Sequence, residues 1–197
     1  FVCDGLVVLE AVVDSSRAEF SRGFYPIRND DFQKYQQAQA TFLNFRRQFA
    51  MKWKIYLSGE IHTDWRERII AGVQDAQLPI EFYAPVTDHS TSDDCGVTIL
   101  GDEEKPFWKD QKGAGINAIR TRSLIGMADV VVVRFGDKYR QWNTAFEAGY
   151  AVALGKPIIT IHDPSLIHAL KEVDGAALAV AEQPEQVIEI LAYIVSK

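Results

Sequence analysis

A chain of 197 residues, of which 47% are hydrophobic and 24% charged, has an ordinary soluble composition and is long enough for one well-buried core. Its formal net charge of −6 excludes a general attraction to the phosphates of a nucleic acid polymer, so a small-molecule ligand fits better. The sequence has no apolar run near the roughly 18 residues that span a bilayer, which argues against a membrane partner. Two cysteines, Cys3 and Cys95, favour a reducing, cytoplasmic setting.

The first 50 residues differ from the rest in charge. They hold six basic and six acidic residues, so the net charge of −6 belongs entirely to residues 51–197. Aromatic residues at helical spacing predict a helix over 31–49, and such a stripe is more often a packing face than a ligand site. It would pack on the main domain or on another subunit, or belong to a mere upstream extension. We therefore predict an N-terminal extension over 1–50 and a main domain over 51–197.

The main domain alternates strand patterns with helix patterns. Strands are predicted at 52–58, 80–84, 130–135, 158–161 and, at an edge, 176–180; helices are predicted at 64–77, 116–127, 144–154, 164–172 and 184–195. The polar stretch 86–112 predicts a long loop that is functional or mobile. Four consecutive valines in the third strand are typical of a strand buried on both sides. This order predicts an α/β fold with a doubly wound, five-stranded parallel sheet and helices on both faces.

Ligands of such sheets bind at the carboxyl ends of the strands, near the point where the strand order reverses. That rule selects three places, 59–64, 134–147 and 162–165. Glu147 is the leading candidate within them. Together with Thr144 it matches a capping box, in which the glutamate bonds back to the start of its own helix. A carboxylate near a helix N-terminus is also held ionised by the helix dipole and can attack an anomeric carbon, so the spacing fits both interpretations.

Other candidates have more ordinary interpretations. A tyrosine in a buried strand, such as Tyr56, is more often a core aromatic than a substrate contact. Residues 112–115 imitate a glycine-rich phosphate loop, but no strand precedes them, and we interpret them as the lead-in to a helix. The four histidines lack the spacing of metal ligands, and the acidic run around Asp102 is typical of a solvated loop. We expect no metal and no cofactor.

Three stretches carry a resemblance to a known family: KIYLSG at 54–59, ADVVVV at 128–133 and NTAFEAGYAVALGKPIITI at 143–161. They resemble the nucleoside 2-deoxyribosyltransferase superfamily, and 51–197 looks like its YtoQ-type branch. The resemblance implies a flavodoxin-like fold, cleavage of a nucleoside N-glycosidic bond and a homo-oligomer. It implies Glu147 as the nucleophile that forms a covalent deoxyribosyl ester and Tyr56 as the residue that orients it. Further substrate contacts are expected from Ser58, Gly59, Arg120, Gln141 and Asn143.

The chain departs from the family pattern at two positions. Gln141 stands where the family has an aspartate that positions the sugar, and Thr121 where an aspartate acts on the leaving base. Gln141 can still bond a sugar hydroxyl, but Thr121 cannot serve as a general acid. The neighbouring Arg120 and Arg122 would favour a phosphorylated ligand if either side chain turns toward the site.

Three hypotheses follow from these residues. The first is an enzyme that transfers or hydrolyses the deoxyribosyl group of a nucleoside or nucleotide through a covalent intermediate on Glu147. The second is a module of the same fold that binds a nucleotide-like ligand without turning it over, as the two missing aspartates suggest. In the third, Glu147 is only a helix cap.

Overall fold

The structure is a computed structural model that describes residues 33, 37, 52–136 and 141–196. The chain divides into two compact units, Phe1–Ala50 and Met51–Lys197. In the first unit Gln33 and Gln37 are described, and both are helical; the rest of the helix predicted over 31–49 lies outside the described residues. The role of this segment stays a prediction. Within the described part of the chain, no helix is both long and apolar enough to cross a membrane.

The second unit is built from strands and helices in alternation. Its strands are β1 (Trp53–Gly59), β2 (Ile80–Tyr83), β3 (Val130–Arg134), β4 (Ile158–Ile161) and β5 (Ala179–Ala181). Its helices are α1 (Trp65–Asp75), α2 (His89–Leu100), α3 (Pro106–Met127), α4 (Trp142–Ala153), α5 (Ile167–Ala176) and α6 (Pro184–Val195). A short 3-10 turn, Pro164–Leu166, precedes α5.

All five strands are parallel, in the order β2-β1-β3-β4-β5. The chain passes from β1 to the β2 edge and then returns to the other side of β1, so the strand order reverses between β1 and β3. Helices α1 and α6 cover one face of the sheet, and α3, α4 and α5 cover the other. The prediction of a flavodoxin-like, doubly wound α/β fold is confirmed.

The valines of β3 explain why this strand is central. Val130 and Val132 pack into the core on the α1 and α6 face. Val131 and Val133 pack into the core on the opposite face, and all four are at most 4% exposed. Burying each side chain stabilises the fold by about 1.5–3 kcal/mol, so a strand without a polar face is retained only where both faces are covered.

The polar stretch 86–112, predicted as a loop, is largely helical, and that prediction was wrong. The Asp88 side chain starts α2 by accepting a hydrogen bond from the Thr91 N–H, at 2.7 Å. Pro106 is the first residue of α3, ten residues before the predicted helix start. A proline at this position is favourable because its missing N–H would have no partner in the helix anyway.

Helices α2 and α3 form an antiparallel hairpin that explains the error. A β-carbon on Gly96 would lie 2.3 Å from the backbone nitrogen of Gly113, so the two helices touch where neither has a side chain. Nearby, the Asn117 side chain donates to the Ser92 carbonyl at 2.9 Å. Residues 112–115, predicted as a helix lead-in, therefore lie inside α3, and Gly113 among them serves the packing of α3 on α2.

Smaller differences concern element ends. Asp64 precedes α1, but its side chain makes no capping hydrogen bond to a described residue. The helix predicted at 164–172 begins with the 3-10 turn and continues to Ala176. The last strand, β5, lies at the sheet edge as predicted but starts three residues later than expected. Such shifts are common because the last turn of an element depends on tertiary contacts.

Candidate functional site

The carboxyl ends of β1 and β3 meet where the strand order reverses, with Gly59 paired to Arg134. Gly59 has a φ of 109°, and a β-carbon there would lie 2.1 Å from the Arg134 carbonyl oxygen. The next residue, Glu60, donates its N–H to the same carbonyl at 3.1 Å. Only glycine allows this close approach. Gly59, which was predicted to contact the substrate, is therefore also required by the backbone geometry at the end of β1.

Ser58 and Glu147 are joined by a hydrogen bond between β1 and α4. The fully buried Ser58 hydroxyl donates to Glu147 Oε2 at 2.5 Å. Helix α4 begins at Trp142, two residues before the predicted start, which places Glu147 at the sixth helical position. A capping-box glutamate occupies the third position. The interpretation of Glu147 as a helix cap is therefore wrong, because its carboxylate faces the sheet.

Burial dominates the electrostatics of Glu147. It raises the pKa of the carboxyl above its usual range, and the hydrogen bond from Ser58, the Arg66 cation and the Tyr56 hydroxyl act in the opposite direction. Glu147 lies beyond the first turn of α4, where the helix dipole has little effect, so Ser58 and Arg66 rather than the dipole favour its ionised form. The result is a half-buried carboxylate that accepts one hydrogen bond, from Ser58, and whose partial burial makes it more basic than an exposed glutamate.

Tyr56 is a core aromatic residue with a buried hydroxyl at the candidate site. Its ring is fully buried and packs with Val131 and Ala148 in the core. Its hydroxyl is near Glu147 and Thr121 but forms no hydrogen bond of regular geometry within the described part of the chain. Burial, and then the charge of Glu147, raise the Tyr56 pKa, so the phenol keeps its proton.

Arg66 is a buried cation that the sequence did not reveal. Its guanidinium donates to three backbone carbonyls at the end of β1, those of Leu57, Gly59 and Glu60. It also lies 4.4 Å from the centroid of the Trp65 ring. Arg66 thus fixes the β1–α1 loop and lowers the pKa of Glu147 from a distance. The available signal was indirect: carbonyls beyond the last ladder bond of a buried strand need donors from nearby.

Gln141 is used by the backbone of the neighbouring loop. Its side-chain oxygen accepts a hydrogen bond from the Gly136 N–H at 3.0 Å, and its amide nitrogen lies next to Glu60. Asn143 follows in the first turn of α4 with an exposed side chain. The structure therefore brings Gln141 to the carboxyl edge of the sheet and leaves Asn143 at the surface.

The arginines of α3 lie at the rim. Arg120 is exposed, and its guanidinium is 3.5 Å from the Ala84 carbonyl; its charge still reaches the Tyr56 hydroxyl and favours ionisation there. Arg122 lies 5.8 Å from the centroid of the Tyr150 ring. Arg120 is therefore close to the site, whereas Arg122 is engaged with an aromatic ring.

At the third predicted place, 162–165, polar groups form hydrogen bonds with one another and with Asp174. The buried His162 ring contacts Asp174 at 3.0 Å and the Asp163 carbonyl at 2.9 Å. Asp163 in turn accepts a hydrogen bond from the Ser165 N–H. Among residues 52–136 and 141–196, no group of three or more histidine, cysteine, aspartate or glutamate residues is arranged to hold a metal ion.

The fold and these contacts define an α/β domain of the flavodoxin-like class with a half-buried carboxylate at its strand-order reversal. Residues 56–195 match the family described as nucleoside 2-deoxyribosyltransferase YtoQ, and the chain belongs to this family. An uncharacterized protein YtoQ of Bacillus subtilis (strain 168) is 44% identical over 144 residues, which cover 73% of this chain and 97% of that protein.

Two solved structures are also similar to the chain. A conserved protein from Enterococcus faecalis V583 is 16% identical, with a TM-score of 0.50, and the match covers 73% of this chain and 99% of that one. A 2-deoxyribosyltransferase from Bacillus psychrosaccharolyticus is 18% identical, with a TM-score of 0.43, and the match covers 68% of this chain and 90% of that one. The similarity to the Enterococcus faecalis protein indicates a shared fold and nothing about function.

Proposed function

We propose that this protein cleaves the N-glycosidic bond of a nucleoside or nucleotide, with Glu147 as the nucleophile, and transfers the deoxyribosyl group to a second base or to water. The observation that carries the proposal is the contact between Ser58 and Glu147, at 2.5 Å, where the strand order of the sheet reverses. Membership of the nucleoside 2-deoxyribosyltransferase YtoQ family supports it.

The proposed reaction is a double displacement. Glu147 Oε2 is held by Ser58, which leaves Oε1 to attack the anomeric carbon as the bond to the base breaks. The electron pair of that bond goes to the base, which takes a proton from water because Thr121 is no acid. A second base or water then attacks the same carbon, releases Glu147 and restores the original configuration.

A direct assay tests the proposal. The purified protein is incubated with 2′-deoxynucleosides, their 5′-monophosphates and free acceptor bases, and the products are separated by chromatography. We expect release or exchange of the base, and we expect none with Glu147→Ala. The proposal fails if no substrate reacts, or if that variant is as active as the wild type.

The alternative is a module that binds a nucleotide-like ligand without turning it over. The absence of aspartates at positions 121 and 141 favours it. Titration calorimetry with the same ligands would then give saturable binding, and the ligand would be recovered unchanged. The predicted homo-oligomer and cytoplasmic location stay predictions.

Replacing Ser58 with alanine is expected to shift the pH dependence of the reaction. The hydrogen bond from Ser58 lowers the Glu147 pKa, so its loss raises that pKa and the active, ionised form appears only at higher pH. A hydrogen bond to a charged group contributes about 1.5–3 kcal/mol, so kcat/KM on the acidic limb of the pH profile should fall by roughly ten- to a hundredfold.

The pH profile of kcat/KM measures this change. Its acidic limb should move to higher pH in Ser58→Ala. Ser123→Ala removes an exposed hydroxyl that donates to the Ile119 carbonyl and should leave the profile in place. An unshifted limb in Ser58→Ala would show that Ser58 does not tune the nucleophile.

Removing the Tyr56 hydroxyl should separate stability from activity. Because this buried hydroxyl has no regular hydrogen bond to a described residue, Tyr56→Phe should leave the free energy of unfolding unchanged or raise it by about 1 kcal/mol. The variant should nevertheless lose kcat/KM, because the phenol lies near the Glu147 carboxylate and lowers its pKa, which favours the ionised nucleophile. Urea unfolding and kinetics on the same sample measure both; full activity would make Tyr56 a core aromatic only.

A further inference from the structure

Glu60 is a second carboxylate at the same edge of the sheet. It follows β1 directly and is 8% exposed. Its carboxylate accepts hydrogen bonds from the His62 N–H and from the Thr63 hydroxyl, the latter at 2.6 Å. Its own carbonyl accepts from the Trp65 indole at 2.8 Å and from Arg66. These hydrogen bonds hold the Glu60 side chain and its backbone in place.

The contacts around Gly136 place Glu60 beside the proposed site. A β-carbon on Gly136 would lie 2.6 Å from Glu60 Cγ and 2.9 Å from Gln141 Nε2, so these two side chains are neighbours. Gln141 precedes α4, which carries Glu147, and Glu60 is two residues beyond Ser58. The two carboxylates thus belong to one polar edge formed by the ends of β1 and β3.

The loop between a strand and a helix in such a sheet commonly binds phosphate, because its N–H groups and the helix N-terminus face the anion. In this chain the Glu60 carboxylate already takes the His62 N–H in that loop. An ionised carboxylate repels a phosphate, whereas its spare lone pairs can accept a hydrogen bond from a hydroxyl. A neutral hydroxyl is therefore the better ligand group here.

Among the residues that the structure describes, the cations near Glu60 do not offset its charge for a ligand. The Arg66 guanidinium already donates hydrogen bonds to the carbonyls at the end of β1. Arg134 has two nitrogens, Nε and Nη1, without a partner in the described part of the chain, but both are covered from solvent. Arg120 lies at the rim, where its charge is screened by water.

We propose that Glu60 is a specificity-determining residue that accepts a hydrogen bond from a sugar hydroxyl and excludes a phosphoryl group, so that the ligand is an unphosphorylated nucleoside. This inference rests on the proposed function, since it assumes that the ligand lies against Glu147. Of the two ligands that the sequence left open, a nucleoside and a nucleotide, it selects the nucleoside.

Binding of 2′-deoxynucleosides and of their 5′-monophosphates tests the inference. Dissociation constants are measured by titration calorimetry on Glu147→Gln, which does not consume the ligand, and on the wild type if no turnover occurs. With Glu60 intact, we expect each nucleoside to bind at least about tenfold more tightly than its monophosphate. Adding Glu60→Gln, which keeps an acceptor for His62 and Thr63, should reduce that ratio about tenfold or more.

Asp64→Asn is the matched control, because it removes one negative charge from an exposed side chain in the same loop. It should leave the ratio unchanged. The inference is overturned if the monophosphate binds as tightly as the nucleoside with Glu60 intact, a result that does not depend on how well any Glu60 variant folds. It is also overturned if Glu60→Gln leaves the ratio unaltered, or if Asp64→Asn alters it equally.

The same data distinguish this inference from the proposed function. Selective binding of the nucleoside without turnover would support the role of Glu60 and refute catalysis. If the protein turns over nucleosides and their 5′-monophosphates equally well, and if this turnover depends on Glu147, catalysis is supported and the role of Glu60 is refuted. If neither ligand binds, both are refuted.

Discussion

Replacing Glu147 with glutamine is expected to abolish turnover and to make the folded protein more stable at neutral pH. Glutamine cannot form the glycosyl ester, and loss of a nucleophile commonly costs about 10⁴-fold or more in kcat. The amide still accepts the hydrogen bond from Ser58 but carries no charge. Because burial penalises the ionised carboxylate, we expect a gain of about 0.5–2 kcal/mol at pH 7.

The dependence of this gain on pH follows from the direction of the pKa shift. The folded-state pKa of Glu147 lies above its ordinary value of 4.5, so the folded protein holds this proton more tightly than the unfolded chain. The contribution to stability is complete below the ordinary value and is lost as the pH rises through the folded-state pKa. The wild type and the variant should therefore be equally stable in acid and diverge toward neutral pH.

Thermal unfolding at several pH values measures this difference. A gain of 1 kcal/mol raises the Tm of a protein of this size by about 2–4 °C. Glu189→Gln, at an exposed position on α6, is the control and should not alter the Tm in this way. Residual turnover by Glu147→Gln, or a lower Tm at pH 7, would contradict the roles assigned to Glu147.

Replacing Gly59 with alanine is expected to have the largest effect on stability. The φ of 109° is strained for any residue with a β-carbon, and that carbon would lie 2.1 Å from the Arg134 carbonyl oxygen. Backbone strain contributes about 1–2 kcal/mol and the steric clash about 1–3 kcal/mol. The free energy of unfolding should therefore fall by about 2–5 kcal/mol, because neither strand can move without disrupting the ladder between β1 and β3.

Urea unfolding of Gly59→Ala measures this loss as a lower midpoint. Gly115→Ala is a suitable control, because Gly115 lies within α3 with no atom within 4 Å of a new β-carbon. An alanine there should stabilise the helix by about 0.5–1 kcal/mol. Equal stability of Gly59→Ala and the wild type would mean that the two strand ends are not held as closely as described.

Much of the fold could be predicted because its signals are local. The valines of β3 and the short apolar run of β4 indicate strands without a polar face, and all residues of β4 are buried. The hairpin of α2 and α3 was missed because its stability comes from the contact between Gly96 and Gly113. Glycines and exposed polar residues have weak helical signals, so only the packing of one helix on the other reveals the pair.

The sequence was sufficient to name candidate residues for the site. Tyr56, Ser58 and Glu147 were proposed from the family resemblance, and the structure brings them together, although their roles stay proposals. Glu60 and Arg66 were not proposed, because an acidic and a basic residue after a strand usually lie in water. Their burial depends on carbonyls and N–H groups of a loop whose course the sequence does not reveal.

By itself, the sequence determined the five strands and their parallel sheet, because burial on two faces leaves a local pattern of apolar residues. It did not reveal α2 or the first half of α3. Only the tertiary structure decided that Glu147 does not cap its own helix. Its helix starts at Trp142, and its carboxylate meets a hydroxyl 89 positions earlier in the chain. A capping-box glutamate and a glutamate that faces the sheet can share the same spacing, and only contacts between distant residues distinguish them.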